Sequence, residues 1–345
     1  MATIILLAVS ACAAKPEKVL QKMMSAMAEA QTFDLSLKLG AFGQFPQLTT
    51  LNFEEAKMLP GSILVDLSGP IDLTKDLQYQ LAGSAKYKLQ DTSLEFLGDL
   101  IYKDATLYFR LTQVPKVKAA DLSNLKDNWY KFDFGAFGLG NQLGADEKSG
   151  LDEAKKKKIQ KLVAKTDFFE VISDNGIDML DNITVHHYKV KINKSEVRKF
   201  FQETAEIMEE RKLTELEIGE LEKNLEDWSK LEGQVWVGQN DWYLRRLEVA
   251  TQAEAGSDAL HYDIALELTD FNNKVSISKP GNVREFNMAD IFLPQLEKTL
   301  PSIDAPGDET ISIEDQLKQI QNMDPAELEK QLENLKQELG TINNN

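Results

Sequence analysis

Gln78-Tyr79-Gln80-Leu81-Ala82-Gly83-Ser84-Ala85-Lys86-Tyr87-Lys88-Leu89 sorts its residues by a period of two. Tyr79, Leu81, Gly83, Ala85, Tyr87 and Leu89 fall on one side, and Gln78, Gln80, Ser84, Lys86 and Lys88 on the other. Successive side chains of a strand point to opposite faces, so the pattern specifies a strand with one dry and one wet face. The alternation returns upstream in Phe33, Leu35, Leu37 and Leu39 against Asp34, Ser36 and Lys38. Downstream it is cleanest, with Leu260, Tyr262, Ile264, Leu266 and Leu268 set against His261, Asp263, Ala265, Glu267 and Thr269. Shorter strand-like runs cover 63–67, 94–102, 106–113, 129–134, 168–172, 183–192, 234–238 and 242–251. The first six strands follow one another without a convincing helix, which implies antiparallel meander pairing and not βαβ units. One sheet of about ten strands is the simplest account.

Helical spacing frames this sheet. Pro16 stands at a helix start, and Val19, Leu20, Met23, Met24 and Met27 recur on one face up to Gln31. A glycine-rich stretch, 135–150, leads into a lysine-heavy helix at 151–165. Two further helices, 195–211 and 214–228, form an insertion over 195–229 between strands. A helix is expected at 288–300, followed by a Pro, Gly and Asp linker at 301–308. An acidic helical tail then carries Leu328, Leu332, Leu335 and Leu339 behind the cap Asp324-Pro325. The expected class is therefore α+β: a large curved antiparallel sheet with helices over one face, in a domain spanning 13–300, plus a tail over 301–345.

The single cysteine, Cys12, closes Val9-Ser10-Ala11-Cys12 directly behind the apolar run Ile4-Ile5-Leu6-Leu7-Ala8. This resembles the lipobox of bacterial lipoproteins, where the thiol accepts a diacylglyceryl group and the preceding leader is removed. Two acyl chains give stable anchoring at ~0.8 kcal/mol per buried methylene. No Lys or Arg precedes the run, so 1–12 reads as a signal peptide missing part of its positive start. The competing reading is a buried Cys after an ordinary apolar terminus.

Composition narrows the function classes. At 345 residues with 42% hydrophobic and 28% charged residues, the chain has material for a substantial core. No later run approaches the ~18 apolar residues of a membrane helix. A net charge of −17 argues against nucleic acid, whose phosphates draw clustered Lys and Arg.

Residue order now matters. The chain runs lipobox, helix, meander, glycine-rich loop and helix, then a strand reading Val185-His186-His187-Tyr188-Lys189-Val190, a helical insertion, and the hairpin text Val235-Trp236-Val237-Gly238-Gln239-Asn240-Asp241-Trp242-Tyr243-Leu244-Arg245-Arg246-Leu247. This is similar to the LolA-like lipoprotein-carrier half-barrels, which include lipid-binding lipoproteins of the mycobacterial type. The resemblance covers 15–280. It implies an incomplete barrel with an apolar cavity between its concave face and a helical cover, and it supplies no catalytic residues.

Candidate chemistry is sparse. His186 and His187 are neighbours on a strand and point to opposite faces, so they cannot jointly chelate a metal. Gly138-Leu139-Gly140 with Gly144 lacks phosphate-loop spacing and reads as a loop at the cavity mouth. Asp174-Asn175-Gly176-Ile177-Asp178 opens like a calcium loop without the closing Glu and reads as a turn. The run Lys155 to Lys158 is either a solvated helix face or a contact for anionic headgroups. Met23, Met24 and Met27 either line a lipid cavity or fill the core; Trp236 and Trp242, flanking the hairpin turn, either touch lipid or pack. No cofactor motif, metal site or nucleophile constellation is present in the text.

The expected function is a non-enzymatic, membrane-anchored extracytoplasmic lipoprotein that binds an acyl chain, a lipid or a lipidated molecule. The alternative is an envelope interaction or structural lipoprotein that docks a partner through its helical insertion and acidic tail. An envelope hydrolase is the remote third reading, because no convergent acid, base and nucleophile can be named.

Overall fold

The computed structural model of this chain describes residues 15–46, 58–90, 92–116, 122–132, 153–228, 230–251 and 261–286. Chain contacts separate two units, Met1–Gln295 and Leu296–Asn345. The second unit, the lipobox, the glycine-rich stretch and the expected helix at 288–300 lie outside the described residues.

After α1 (Pro16–Glu29) come six strands: β1 (Thr32–Pro46), β2 (Met58–Asp72), β3 (Gln78–Leu89), β4 (Thr92–Lys103), β5 (Thr106–Gln113) and β6 (Trp129–Phe132). Next are α2 (Glu153–Lys165), β7 (Phe169–Leu180) and β8 (Ile183–Ile192). The insertion follows as α3 (Lys194–Glu209) and α4 (Glu215–Trp228), and the last described elements are β9 (Glu232–Gly238), β10 (Leu244–Ala250), β11 (His261–Thr269) and β12 (Val283–Glu285).

All twelve strands share one sheet in the order β12-β6-β5-β4-β3-β2-β1-β11-β10-β9-β8-β7. Two antiparallel meanders, β1 to β6 and β7 to β11, join where β1 pairs with β11. The chain thus walks outward to one edge, restarts at the other and returns to the middle. β12 pairs parallel along β6. The sheet is curved and open, in agreement with an α+β half-barrel. The eleven runs read from the sequence correspond to β1 to β11, and β12 is additional because at three residues it is too short to show a period.

Register explains the alternation. Leu37 pairs with both Leu67 and Leu266, and Leu39 with Val65 and Ile264, so one face is continuously apolar. On the reverse face Lys38 lies between Asp66 and Ala265. Gly83 and Gly98 are partners on the apolar face of β3 and β4. A Cβ on Gly83 would sit 2.0 Å from the Asp66 carbonyl oxygen, and one on Gly98 would sit 2.4 Å from that of Arg110. Neighbouring backbone comes this close only where side chains are missing, and such glycines let a sheet bend sharply.

The helices occupy the apolar face toward the β7 edge. Val19, Leu20 and Met23 of α1 are buried against Tyr188 and Val190 of β8 and Val235 and Val237 of β9. Burial of such side chains contributes roughly 1.5–3 kcal/mol each. α2 stacks on α1, α3 on α2, and α4 on α3. Asn193 caps α3, accepting from the Glu196 N–H at 3.3 Å. Thr214 and Glu217 form a reciprocal capping box at α4, with the Thr214 N–H donating to Glu217 at 2.7 Å and the Glu217 N–H donating to Thr214 Oγ1 at 3.3 Å.

On the reverse face the segment between β11 and β12 crosses the sheet as a strap. It is tied at its start by Thr32 Oγ1, which donates to the Asn273 carbonyl at 2.6 Å. Near its end Ile277 is buried against Ile101 and Tyr108, and Lys103 donates to the Ile277 carbonyl.

Two local expectations are corrected. Asp174–Asp178 is not a turn but part of β7, carrying bulges between Val171 and Ser173 and between Asp174 and Gly176. Gly176 takes φ +89, and its N–H donates to Asp174 Oδ1 at 2.9 Å, so a turn-like text makes a bulge inside a strand. The strand expected to begin at Trp242 begins at Leu244, because Trp242 takes φ 62 within the turn.

Candidate ligand-binding site

The strands that α1 does not fully cover leave an apolar recess on the helix-bearing face. Val190 and Ile192 of β8, Gly233 of β9, Leu247 and Val249 of β10 and Ile264 of β11 supply its floor, while Phe169, Trp228 and Leu231 supply its sides. It encloses about 310 Å³. That volume stands at the lower end of small-ligand sites, ~300–1,000 Å³. The recess exists because Gly233 has no side chain and because α4 ends at Trp228, whose ring stays 47% exposed at the rim. A Cβ on Gly233 would sit 2.9 Å from the Glu248 carbonyl oxygen. Its walls are hydrocarbon and aromatic, so it is suited to a chain or ring that gives up water, and no acid, base and nucleophile converge in it.

The residues singled out from the sequence do not share one cavity. Met23 is 1% exposed and belongs to the core under α1. Met24 and Met27 are partly buried against that core, and Met24 also borders a crevice of about 290 Å³ with Leu20, Phe168 and Phe169. Trp242 stacks on His186 at 5.9 Å and borders a polar groove of about 650 Å³ with Lys22, Glu29 and Lys161. Trp236 points to the reverse face, where it stacks on His187 at 4.3 Å and lies under the Arg246 guanidinium at 5.7 Å. The two histidines accordingly face apart, and among the described residues no three His, Cys, Asp or Glu side chains gather as a metal site.

Electrostatics around α1 follow burial. Tyr188 is 1% exposed, and burial, with Asp174 and Glu17 nearby, pushes its phenol up to about 12. Burial also lowers the His186 imidazole, against the opposing pull of Asp174. Of the lysine run, Lys155 meets Glu210 at 3.0 Å and donates to the Met208 carbonyl at 3.1 Å, so it braces α2 on α3.

A recess of about 560 Å³ lies on the reverse face and mixes charged with apolar side chains. Lys38, Asp66, Lys86, Glu95, Glu248 and Asp263 surround Phe42 and Leu64 there. The Phe42 ring folds over Gly40, where an added Cβ would stand 2.8 Å from it. The resemblance implied an apolar cavity on the helix-covered face, but not which residues line it, and the reverse-face recess was not foreseen, since both are assembled from strands far apart in the chain.

No family model and no curated protein matches this chain. Among solved structures, LprF from Mycobacterium bovis aligns over 76% of this chain and 96% of its own, at 12% identity and a TM-score of 0.38. The Mycobacterium tuberculosis lipoprotein LppX aligns over 76% and 97%, at 11% identity and a TM-score of 0.34. A DUF1329 family protein from Desulfovibrio piger aligns over 76% and 95%, at 9% identity and a TM-score of 0.19. Scores this low set no fold, and the half-barrel architecture rests on strand pairing.

Proposed function

We propose that this chain is a non-enzymatic lipoprotein of the bacterial cell envelope, anchored outside the cytoplasm by acyl groups on Cys12, that holds a hydrophobic ligand against its helix-bearing face. The observation that carries the reading is the apolar recess of about 310 Å³ between β8–β11 and the end of α4. An acyl chain or lipidated molecule fits its chemistry, because each methylene moved out of water contributes ~0.8 kcal/mol and the walls ask for no polar partner. Met24 and Met27 border the covered end of the same face and adapt to irregular chains. Organic extraction of the purified full chain followed by mass spectrometry tests this: a stoichiometric lipid is expected, and an empty protein that also ignores fluorescent fatty acid contradicts it.

A second reading has its own observation. Phe201, Met208, Leu216 and Trp228 of the α3–α4 insertion are 38%, 40%, 74% and 47% exposed, which suits an envelope protein docking on the helices. Charge reversal along α4 that abolishes capture of a partner while lipid uptake persists would favour it.

A further inference from the structure

The hairpin of β7 and β8 carries its largest exposed apolar side chains at one end and on one face. Ile177 is 55% exposed and Met179 60%. Both lie on the helix-bearing face, Ile177 opposite His186 and Met179 opposite Thr184. The turn beyond them, Asp181-Asn182, is polar, so this apolar character belongs to the flank of the hairpin and not to its tip. An exposed pair of this kind on a strand that ends the sheet among the described residues invites aggregation unless something covers it.

α1 packs against β7 and β8 of the same hairpin. Glu17 is near enough to Tyr188 to raise its phenol, and Asp174, opposite Tyr188 in the register, does likewise. His186 stacks on Trp242, and the Lys22 ammonium lies 4.0 Å over the Trp242 ring. Lys15, Lys18 and Lys22 are all exposed, and Lys18 and Lys22, four apart, share one side of the helix. Exposed aliphatics near an indole and its overlying lysine, with two more exposed lysines at the start of the same helix, are what a bilayer surface selects: hydrocarbon for the acyl boundary, Trp at headgroup depth and ammonium groups for anionic lipid.

Chain length argues for the same occupant. Three residues stand between Cys12 and Pro16, so four Cα–Cα steps allow a reach of at most ~14 Å. If Cys12 is acylated, as proposed above, its lipid attachment point is held within that distance of the start of α1, and so close to the unit that carries the hairpin. We propose that the flank formed by Ile177, Met179 and Trp242, with Lys15, Lys18 and Lys22 around it, is a membrane-contact surface that seats the protein on anionic lipid. The inference uses the anchored reading for the tether alone and does not need the apolar recess to be filled.

The test removes the tether. The full chain with Cys12→Ala is floated with phosphatidylcholine vesicles, with and without phosphatidylglycerol. Binding to the phosphatidylglycerol vesicles that weakens in salt is expected. Ile177→Ser with Met179→Ser should lower it about tenfold, and so should Lys18→Glu with Lys22→Glu, since interfacial affinity sums apolar area and charge attraction. Quenching by brominated lipid that is lost in Trp242→Phe locates the contact. No flotation, or equal flotation of both double variants at unchanged melting temperature, overturns the proposal. Fatty-acid uptake is scored in the same proteins: flotation without uptake sinks only the ligand reading, and uptake without flotation sinks only this one.

Discussion

His187 stacks on Trp236 with ring centroids 4.3 Å apart and planes 14° from parallel, while its neighbour His186 stacks on Trp242 across the sheet. One dipeptide therefore places two aromatic pairs on opposite faces. His187 is held further by Gln234, 2.7 Å from its Nε2. A stacked aromatic pair contributes about 0.5–1.5 kcal/mol beyond area burial. His187→Ala is expected to lower stability by at least that much in chemical denaturation without changing hydrophobic ligand uptake, since it lies on the reverse face.

The titration of His186 and Tyr188 shares one neighbour. Asp174 raises both groups, opposing burial at the imidazole and reinforcing it at the phenol. Asp174→Asn should therefore move both pKa values downward, readable by NMR of the two rings. The His186 imidazole is already below its ordinary 6.5, so the unfolded chain binds more protons around that pH, and this group's contribution to stability is lost as pH falls below ~6.5.

Met23 and Met24 separate packing from ligand contact. Met23 is 1% exposed in the core, so Met23→Ala should cost about 2–5 kcal/mol by cavity formation. Met24, partly buried at the border of a crevice, should cost less when cut to Ala. Urea unfolding of the two variants checks the order, and a larger loss at Met24 contradicts the assignment.

Acid should loosen α4 at its start. Glu217 accepts from the Arg211 guanidinium at 2.7 and 2.8 Å and also from Thr214, which together pull its carboxyl from 4.5 to about 2. A lowered carboxyl stabilises the fold above its unfolded pKa and stops doing so as pH falls through the folded one. The window is therefore about 4.5 down to about 2. Hydrogen exchange in the first turn of α4 should quicken across that window, and Glu217→Gln should remove the dependence while fraying the turn at neutral pH.

The alternation of β1, β3 and β11 made most of the sheet legible, because each strand has one buried and one wet face and its register preserves them. Helices α1, α3 and α4 were legible for the same reason at their own period. β7 was read too short, since two bulges shift its parity and Asp174-Asn175-Gly176 has the residues of a turn. Trp236 and Trp242 looked like a pair in the text, yet one is on a strand and the other at positive φ in the turn, so they face apart. The recess needed Gly233, Val249, Ile264 and Trp228 together, a meeting set by pairing order and by where α4 stops, neither of which local patterns encode.

Filling the recess tests the central claim most directly. Val249→Trp and Ile264→Phe place bulk into the space of about 310 Å³, at a stability cost of about 1–3 kcal/mol each. Titration of fluorescent fatty acid into the original chain and the two variants, with unfolding curves alongside, should show one saturable site weakened about tenfold or more in folded variants. Unchanged uptake in a folded Val249→Trp protein, or no saturable uptake by the original chain, would contradict the account.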